Sequence, residues 1–329
     1  DLFREADRYL REQLRLNLNA SVEQKVDRVN QLAQQLARLN ERIVYARGAG
    51  QEPNDLMDER DRLLDELARS LPVETVEEPT GAVRVLAGGT ALVDGVRFYR
   101  LVVYADPANE NLWQVKWEGT TLAADVGGGE LGAYLVLRDE VVTGLHRRLE
   151  DLAWALATEV NALHAGGYDL TGAPVGATPW EQVFVVPPLR ANFRLRTLTV
   201  NPDLAAAPER LAAASSPNSP GDGSNALAIA QLRFQPLASL GGATLDDFYR
   251  SFVAALGAEA DGARRMTQVQ QALVDKIDNQ RQSTSGVNLD EEMAQLVQYQ
   301  YAFQAAARLV NTVDLMLDTV INRLGLQGR

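Results

Sequence analysis

The sequence predicts an elongated α+β protein, in which a stem of long helices, a coiled-coil-like bundle built from both ends of the chain, carries a mid-chain β-rich insert domain. Two observations predict this class. Apolar residues recur at helical spacing near both ends, and short β-rich runs separated by Gly, Pro, Asn and Asp occupy the middle. The 329 residues are 46% hydrophobic and 23% charged, a composition typical of folded globular protein.

Residues 1–71 are predicted to form the first part of the helical stem. Neither Gly nor Pro occurs between residues 10 and 45, which favours one long helix. Its apolar positions follow steps of three, four or seven: Val22, Val26, Val29, Ala33, Leu36 and Ile43. The segment Arg47-Gly48-Ala49-Gly50 ends this helix, and Pro53 opens a second one. A helical hairpin therefore begins the chain.

The middle of the chain divides into three predicted parts. Residues 72–126 are expected to form a small β-rich insert domain, and residues 127–165 return to helical spacing as a stem helix. Residues 166–243 are rich in Gly, Pro and Asn and are predicted to be a loop- and β-rich region with a short helix. Within that region we expect a strand at residues 192–200.

Two helical segments are predicted to complete the chain. Residues 244–285 form the last part of the helical stem, and Thr244 with Asp247 makes its capping box. Residues 286–329 form a carboxyl-terminal coiled-coil helix, for which Asn288 is the expected cap. This last helix is the most informative segment, because it is apolar on more than one side.

The last helix carries a candidate assembly interface. Its positions alternate steps of three and four, the seam of a coiled coil: Leu289, Met293, Leu296, Gln300, Phe303, Ala307, Val310, Leu317, Ile321 and Leu324. A second stripe lies beside the seam: Leu309, Val313, Met316 and Val320. The alternative is burial within its own monomer, but no comparably apolar helix exists elsewhere in the chain. Packing in a polymer, or against a partner protein, therefore fits better.

Composition excludes several classes of function. Lys and Arg total 32 against 44 Asp and Glu, a formal net charge of -12 that repels nucleic acid. The chain has no cysteine and two histidines, so no thiol nucleophile and no cysteine- or histidine-rich metal site can be built. No run of about 18 apolar residues is present, so we expect no membrane span.

No motif in the sequence predicts a catalytic, cofactor or metal site. Residues 127–132 satisfy G-x-G-x-x-G, and Glu150 lies at a suitable distance for a ribose acid. A Gly- and Pro-rich loop follows the next helix where a dinucleotide fold needs a parallel strand, so these glycines are expected to join the β insert to the stem. His164 ends a helix, where we expect capping or surface exposure. We predict no enzyme activity and no cofactor.

Several segments resemble the flagellar axial proteins. Residues 285–293 (SGVNLDEEM), Tyr299-Gln300 and residues 303–308 resemble their carboxyl-terminal signature. Residues 53–67 (PNDLMDERDRLLDEL) are similar to a stem helix of the FlgK family of hook-associated proteins, which act at the hook–filament junction. Three further motifs fit that family: Gly129-Glu130-Leu131-Gly132, Arg138-Asp139, and Asn161-x-x-His164-x-x-Gly167-x-Asp169-Leu170-x-Gly172.

The resemblance implies a secreted structural adaptor of the extracellular bacterial flagellum. Subunits are expected to assemble with one another into a ring, contacting the hook protein and a second junction protein of the FlgL type. The flagellar type III channel exports such proteins, and a chaperone holds the carboxyl-terminal helix beforehand. The family's amino-terminal helix, which by resemblance pairs with the tail from near Leu289, is absent from this sequence, which we interpret as a fragment.

Two alternatives to the junction protein remain. A hook or distal-rod subunit shares the tail signature, and it would polymerise alone into long tubes once the amino-terminal helix is restored. A secreted binding module or enzyme carried by residues 72–243 is the alternative from another class. Its motivation is the Gly-rich loops and three tryptophans, Trp113, Trp117 and Trp180, which more often anchor a core or a loop.

Overall fold

A computed structural model describes residues 1–285 and 289–318. The chain separates into two units, Asp1–Phe252 and Val253–Arg329. Long helices combine with small antiparallel sheets, which confirms the predicted α+β class. The six-part division of the chain stays a prediction.

The described residues form nine α-helices, two of which lie within residues 166–243, where one short helix was expected. They are α1 (Leu2–Arg8), α2 (Leu16–Gly48), α3 (Asn54–Ser70), α4 (Gly129–Val136), α5 (Val142–Ala165), α6 (Pro202–Ala206), α7 (Ser224–Gln231), α8 (Leu245–Ser285) and α9 (Leu289–Asp318). Two π-helical segments, Tyr9–Arg15 and Leu137–Val141, precede α2 and α5. The turn between α2 and α3 places Gly50 at a φ of 76°, a conformation that favours glycine.

The strands pair antiparallel in three small sheets. They are β1 (Glu74–Glu77), β2 (Val83–Ala87), β3 (Thr90–Asp94), β4 (Arg97–Phe98), β5 (Leu101–Asp106), β6 (Leu112–Trp117), β7 (Phe184–Val185) and β8 (Thr199–Val200). The first four form one sheet in sequence order, and β5 with β6 and β7 with β8 form two-stranded ribbons.

The strand expected at residues 192–200 is mostly wrong. The segment contains 3₁₀ turns at Arg190–Asn192 and Leu195–Thr197, and only its end is a strand, β8. The alternating apolar residues Phe193 and Leu195 are fully buried, as a strand would predict. The amide of Leu195, however, donates to the carboxylate of Glu150 at 3.2 Å instead of to a neighbouring strand.

The main core of the first unit lies between α2 and the β strands. All six apolar positions predicted for α2 are buried: Val22, Val26, Val29, Ala33, Leu36 and Ile43. Leu63 and Leu67 of α3 and Val85, Leu92 and Trp117 of the sheets belong to the same hydrophobic cluster as most of the α2 positions. The strands and the helical hairpin are therefore stabilised by one shared core.

Buried asparagines on α2 hold the sheets in register with the helix. Asn30 donates to the carbonyl of Leu101 at 2.8 Å and accepts from the amide of Leu101 at 2.9 Å. Asn40 makes the same pair with Val83, at 2.8 and 3.0 Å, and donates to the carbonyl of Gly95 at 2.7 Å. Each amide side chain thus satisfies both backbone groups of the first residue of a strand.

Replacing Asn40 by alanine should destabilise the first unit by about 2–3 kcal/mol, because two buried backbone groups of Val83 and the half-buried carbonyl of Gly95 lose a partner. The four tryptophans, Trp113, Trp117, Trp154 and Trp180, all lie in this unit, so their fluorescence in a urea titration reports its unfolding. The control is Asn17→Ala, because Asn17 lies on the same helix and is exposed. Equal unfolding midpoints for the two variants would contradict the anchoring role.

Candidate assembly surface

Helix α9 presents a row of exposed apolar side chains. Along the predicted seam, Met293 is 65% exposed, Leu296 58%, Phe303 76%, Val310 61% and Leu317 50%. Side chains of this size are usually buried in a folded protein. The described part of the chain leaves these seam side chains exposed.

The other predicted positions share this exposure where the structure describes them. The exposed members are Gln300 and Ala307 of the seam and Leu309, Val313 and Met316 of the second stripe. Outside the described residues lie Val320, Ile321, Leu324 and the side chain of Leu289. That these residues form an assembly interface stays a prediction.

Helix α8 changes character along its length. Near its start, Leu245 and Phe248 pack against a cluster formed with Leu232, Leu237 and Leu240. From residue 263 to residue 283 every residue is exposed, including the large apolar ones: Met266, Val269, Leu273, Val274 and Ile277. The second unit therefore contains two long helices with uncovered apolar side chains.

The chemistry of α9 favours a helical partner. From residue 293 to residue 317 the only charged residues are Arg308 and Asp314, so few charges need to be desolvated on packing. Burial of one large apolar side chain stabilises by about 1.5–3 kcal/mol, and the seam repeats such side chains at heptad spacing. Residues 305–307 are all Ala, which lets another backbone approach closely.

In the isolated chain, amide hydrogens of residues 263–283 and 293–317 should exchange faster than those in the buried part of α5. Helices without tertiary packing are marginally stable in water, so their hydrogen bonds open readily. Hydrogen–deuterium exchange read by mass spectrometry measures this, with light scattering to establish that the sample is monomeric. Strong protection of α9 in a proven monomer would mean that its apolar surface is already covered.

The glycine segment 127–132 is a packing joint between β6 and α4. Gly129 has a φ of 63°, and a Cβ there would lie 2.8 Å from the backbone of Ser70 and Leu71. A Cβ at Gly132 would lie 2.6 Å from the carbonyl oxygen of Val126. Glycine is needed at both positions for close backbone packing.

Glu150, the candidate ribose acid, has another role. It is buried, it accepts from the amide of Leu195, and its carboxylate lies 3.7 Å from the guanidinium of Arg190. All strand pairs that the structure describes are antiparallel. Within the described residues, Glu150 thus holds the 190–197 loop on α5.

Arg138, whose role the sequence did not predict, forms a buried ionic anchor. Its side chain is completely buried. It pairs with Asp139 at 2.7 Å and donates to the Asn19 amide oxygen at 2.8 Å and to the Trp113 carbonyl at 2.7 Å. Burial alone would raise the pKa of Asp139, but hydrogen bonds from Arg138 and Asn109 and the charge of Arg15 lower it. A fully paired buried arginine of this kind fixes the entry to α5.

The expectation that His164 is exposed or caps a helix is wrong. The ring is fully buried. Its Nδ1 donates to the carbonyl of Glu181 at 2.9 Å, and its Nε2 accepts from the amide of Ala212 at 3.0 Å. These partners require the neutral tautomer with the proton on Nδ1, so His164 links two loops to α5.

The residues around His164 complete this structural motif. Asn161 accepts from the amides of Val183 and Phe184, both at 2.9 Å. A Cβ at Gly167 would lie 2.4 Å from the side-chain amide nitrogen of Asn225. The motif of residues 161–172 therefore has a structural role in the loop region. Asn161 and His164 use their hydrogen-bonding groups on the backbone of neighbouring loops.

Asp169 organises the following loop. Its carboxylate accepts from Thr171, from the amide of Ala173 at 3.0 Å and from Arg210 at 2.8 Å. Burial alone would raise the pKa of Asp169, but these hydrogen bonds outweigh burial and lower it to about 2. The Arg210 guanidinium also lies 4.9 Å from the ring centroid of Trp180, so this tryptophan contributes to anchoring the loop.

Replacing Asp169 by asparagine should lower the urea midpoint at about pH 7, with a smaller effect in acid. The pKa of Asp169 is lowered from 3.8 to about 2, so its stabilisation is complete above the ordinary value and is lost as the pH falls through about 2. Tryptophan fluorescence in urea at about pH 7 and about pH 3 measures the change. The control is Asp203→Asn, an exposed aspartate. A pH-independent difference would contradict the charge-based role.

The described residues contain neither a membrane-spanning helix nor a group of metal ligands. No helix among them combines the length and apolarity that crossing a bilayer requires. No group of three or more His, Asp or Glu side chains among them is arranged to hold a metal ion.

Comparison with known proteins adds independent findings. Residues 1–178 match the family profile described as "flagellar hook-associated protein FlgK helical domain". Residues 278–324 match "flagellar basal body rod FlgEFG protein C-terminal". These two matches define a flagellar structural protein. Because the first profile covers more than half of the sequence, the chain belongs to the FlgK family of hook-associated proteins.

Two relatives that share one name agree with this assignment. Flagellar hook-associated protein 1 of Escherichia coli strain K12 is 27% identical, and the alignment covers 97% of this chain and 74% of that protein. The protein of the same name from Bacillus subtilis strain 168 is also 27% identical, with 95% and 67% covered. The solved structure of the flagellar hook junction protein FlgK from Burkholderia pseudomallei aligns with a TM-score of 0.47 and 30% identity, over 56% of this chain and 33% of that one.

Proposed function

We propose that this chain is a structural adaptor of the hook–filament junction, which self-assembles through its long helices. The exposed apolar seam of α9 is the observation that carries the proposal. This helix lies in the segment that matches the carboxyl-terminal profile of the basal-body rod proteins. A surface shared with other flagellar structural proteins, and uncovered in a single chain, is suited to packing between subunits.

The two units would have different roles in such an adaptor. The first unit has buried cores and satisfied polar anchors, so it keeps its shape. The second unit contains α9 and most of α8, whose exposed apolar side chains would interlock with helices of other subunits in knobs-into-holes fashion.

The proposal includes partners and a location. Relatives named hook-associated protein support contact with the hook protein, and a second junction protein of the FlgL type would sit on the opposite side. During export through the flagellar type III channel, a chaperone would cover the α9 seam. The assembled protein would lie outside the cell, in the flagellum. We propose no enzymatic role.

A hook or distal-rod subunit is the second candidate. The match of residues 278–324 to the basal-body rod profile favours it, whereas the match of residues 1–178 to the FlgK helical domain favours the junction protein. Polymerisation of the complete protein alone into long tubes would favour the hook or rod subunit.

Deleting the gene for this chain in its source bacterium tests the junction role. Electron microscopy should show hooks without filaments, and an immunoassay should find flagellin in the medium, because filament subunits would have no adaptor on which to polymerise. Normal filaments on the deletion strain would contradict the proposed role.

Complementing that strain with seam variants tests the assembly surface. Leu296→Asp and Phe303→Asp should leave hooks bare, because each places a charge in the apolar seam. Both side chains are exposed, so the circular dichroism of the isolated variants should be unchanged. The control is Gln298→Asp, an exposed position on the same helix but off the seam. Full filaments with both seam variants would place the assembly contacts elsewhere.

A further inference from the structure

A cleft of about 280 Å³ lies between the first π-helical segment, α5 and the loop before β8. Four arginines line it: Arg11 and Arg15 from the π-helical segment, Arg147 from α5, and Arg194 from the loop. The two carboxylates in its lining are Glu110 and Glu150. The arginines outnumber these carboxylates two to one, in a protein whose net charge is -12.

One carboxylate of the chain itself is bound by two of these arginines. Glu110 follows the 3₁₀ turn at the tip of the β5–β6 hairpin and has a φ of 53°, which is unusual for a residue other than glycine. Its carboxylate accepts from Arg11 at 3.2 Å and from Arg15 at 3.0 Å. The hairpin tip thus places a carboxylate between two guanidinium groups, a geometry that arginine recognises well.

The remaining cations of the cleft have no carboxylate partner among the described residues. Arg147 and Arg194 are both exposed and form no ion pair there, and Arg194 donates to the backbone carbonyls of Ala191 and Phe193. The buried Nε of Arg15 also has no acceptor there. Glu150 is occupied by the Leu195 amide and faces Arg190, and His146 is paired with Asp7. The cleft therefore has cationic capacity beyond what the chain itself uses.

We propose that this cleft binds an acidic peptide segment of a partner protein. Arg147 and Arg194 receive its carboxylates beside the carboxylate of Glu110. The guanidinium groups of Arg147 and Arg194 come from separate elements, so they suit carboxylates that are spaced along a peptide. A phosphate dianion, by contrast, concentrates its charge next to Glu110 and Glu150 and is repelled more strongly. The proposal does not depend on assembly through α9, because every residue in it lies in the first unit.

Fluorescence anisotropy with a fluorescein-labelled hexaglutamate peptide tests the proposal on the purified chain. At low ionic strength the peptide should bind, and Arg147→Ala and Arg194→Ala should each weaken binding about fivefold. The matched control is Arg62→Ala, which removes an exposed arginine from α3 and should leave binding unchanged. Glu110→Gln should tighten binding about threefold, because a repelling charge is removed from the cleft.

The opposite results would overturn the proposal. Absence of peptide binding at low salt would do so, and so would equal losses in the Arg62→Ala and Arg147→Ala variants, which would indicate diffuse attraction to surface arginines. In a competition experiment, displacement of the labelled peptide by inorganic phosphate at a lower concentration than by unlabelled hexaglutamate would assign the cleft to phosphate. Because Arg194 also contacts backbone carbonyls, circular dichroism of each variant verifies folding, and Arg147 provides the cleaner comparison.

Discussion

Three asparagines buried on the long helices each hydrogen-bond both the amide and the carbonyl of the residue at which a strand begins. Asn30 binds Leu101 of β5, Asn40 binds Val83 of β2, and Asn161 binds Phe184 of β7. A carboxamide carries a donor and an acceptor side by side, so it can replace a neighbouring strand at the place where pairing starts. No strand among the described residues is longer than six residues. These contacts help to fix the position of the short strands on the helices.

This dependence explains what could be predicted from the sequence. The apolar periodicity of α2 identified its buried face at Val22, Val26 and Leu36, because burial of a helix face follows a repeat that sequence displays directly. Asn30 and Asn40 adjoin the same face, and a polar residue there signals a buried hydrogen bond. The partner of Asn30 lies 71 residues away along the chain, and that of Asn40 lies 43 residues away. The spacing of residues in one sequence contains no information about such distant pairs.

The errors have the same physical origin. His164 ends a helix, where a charged and exposed ring is the ordinary expectation, but loops distant in sequence cover it and hold it neutral. Phe193 and Leu195 alternate like a strand, yet a glutamate on α5 takes the place of the neighbouring strand. Arg138 stands in a motif of the family, but its burial and its hydrogen bonds to Asn19 and Trp113 join residues that lie far apart in the sequence. In the candidate assembly surface the reverse holds: the side chains of residues 293–317 are exposed, so the heptad pattern read from the sequence already describes this helix.

The scarcity of charge on α9 has a consequence for the environment in which it can work. From residue 293 to residue 317 one arginine and one aspartate are the only ions, so counterions have little to screen. An association through such a helix would therefore depend little on ionic strength, whereas contacts built on ion pairs weaken as the salt concentration rises.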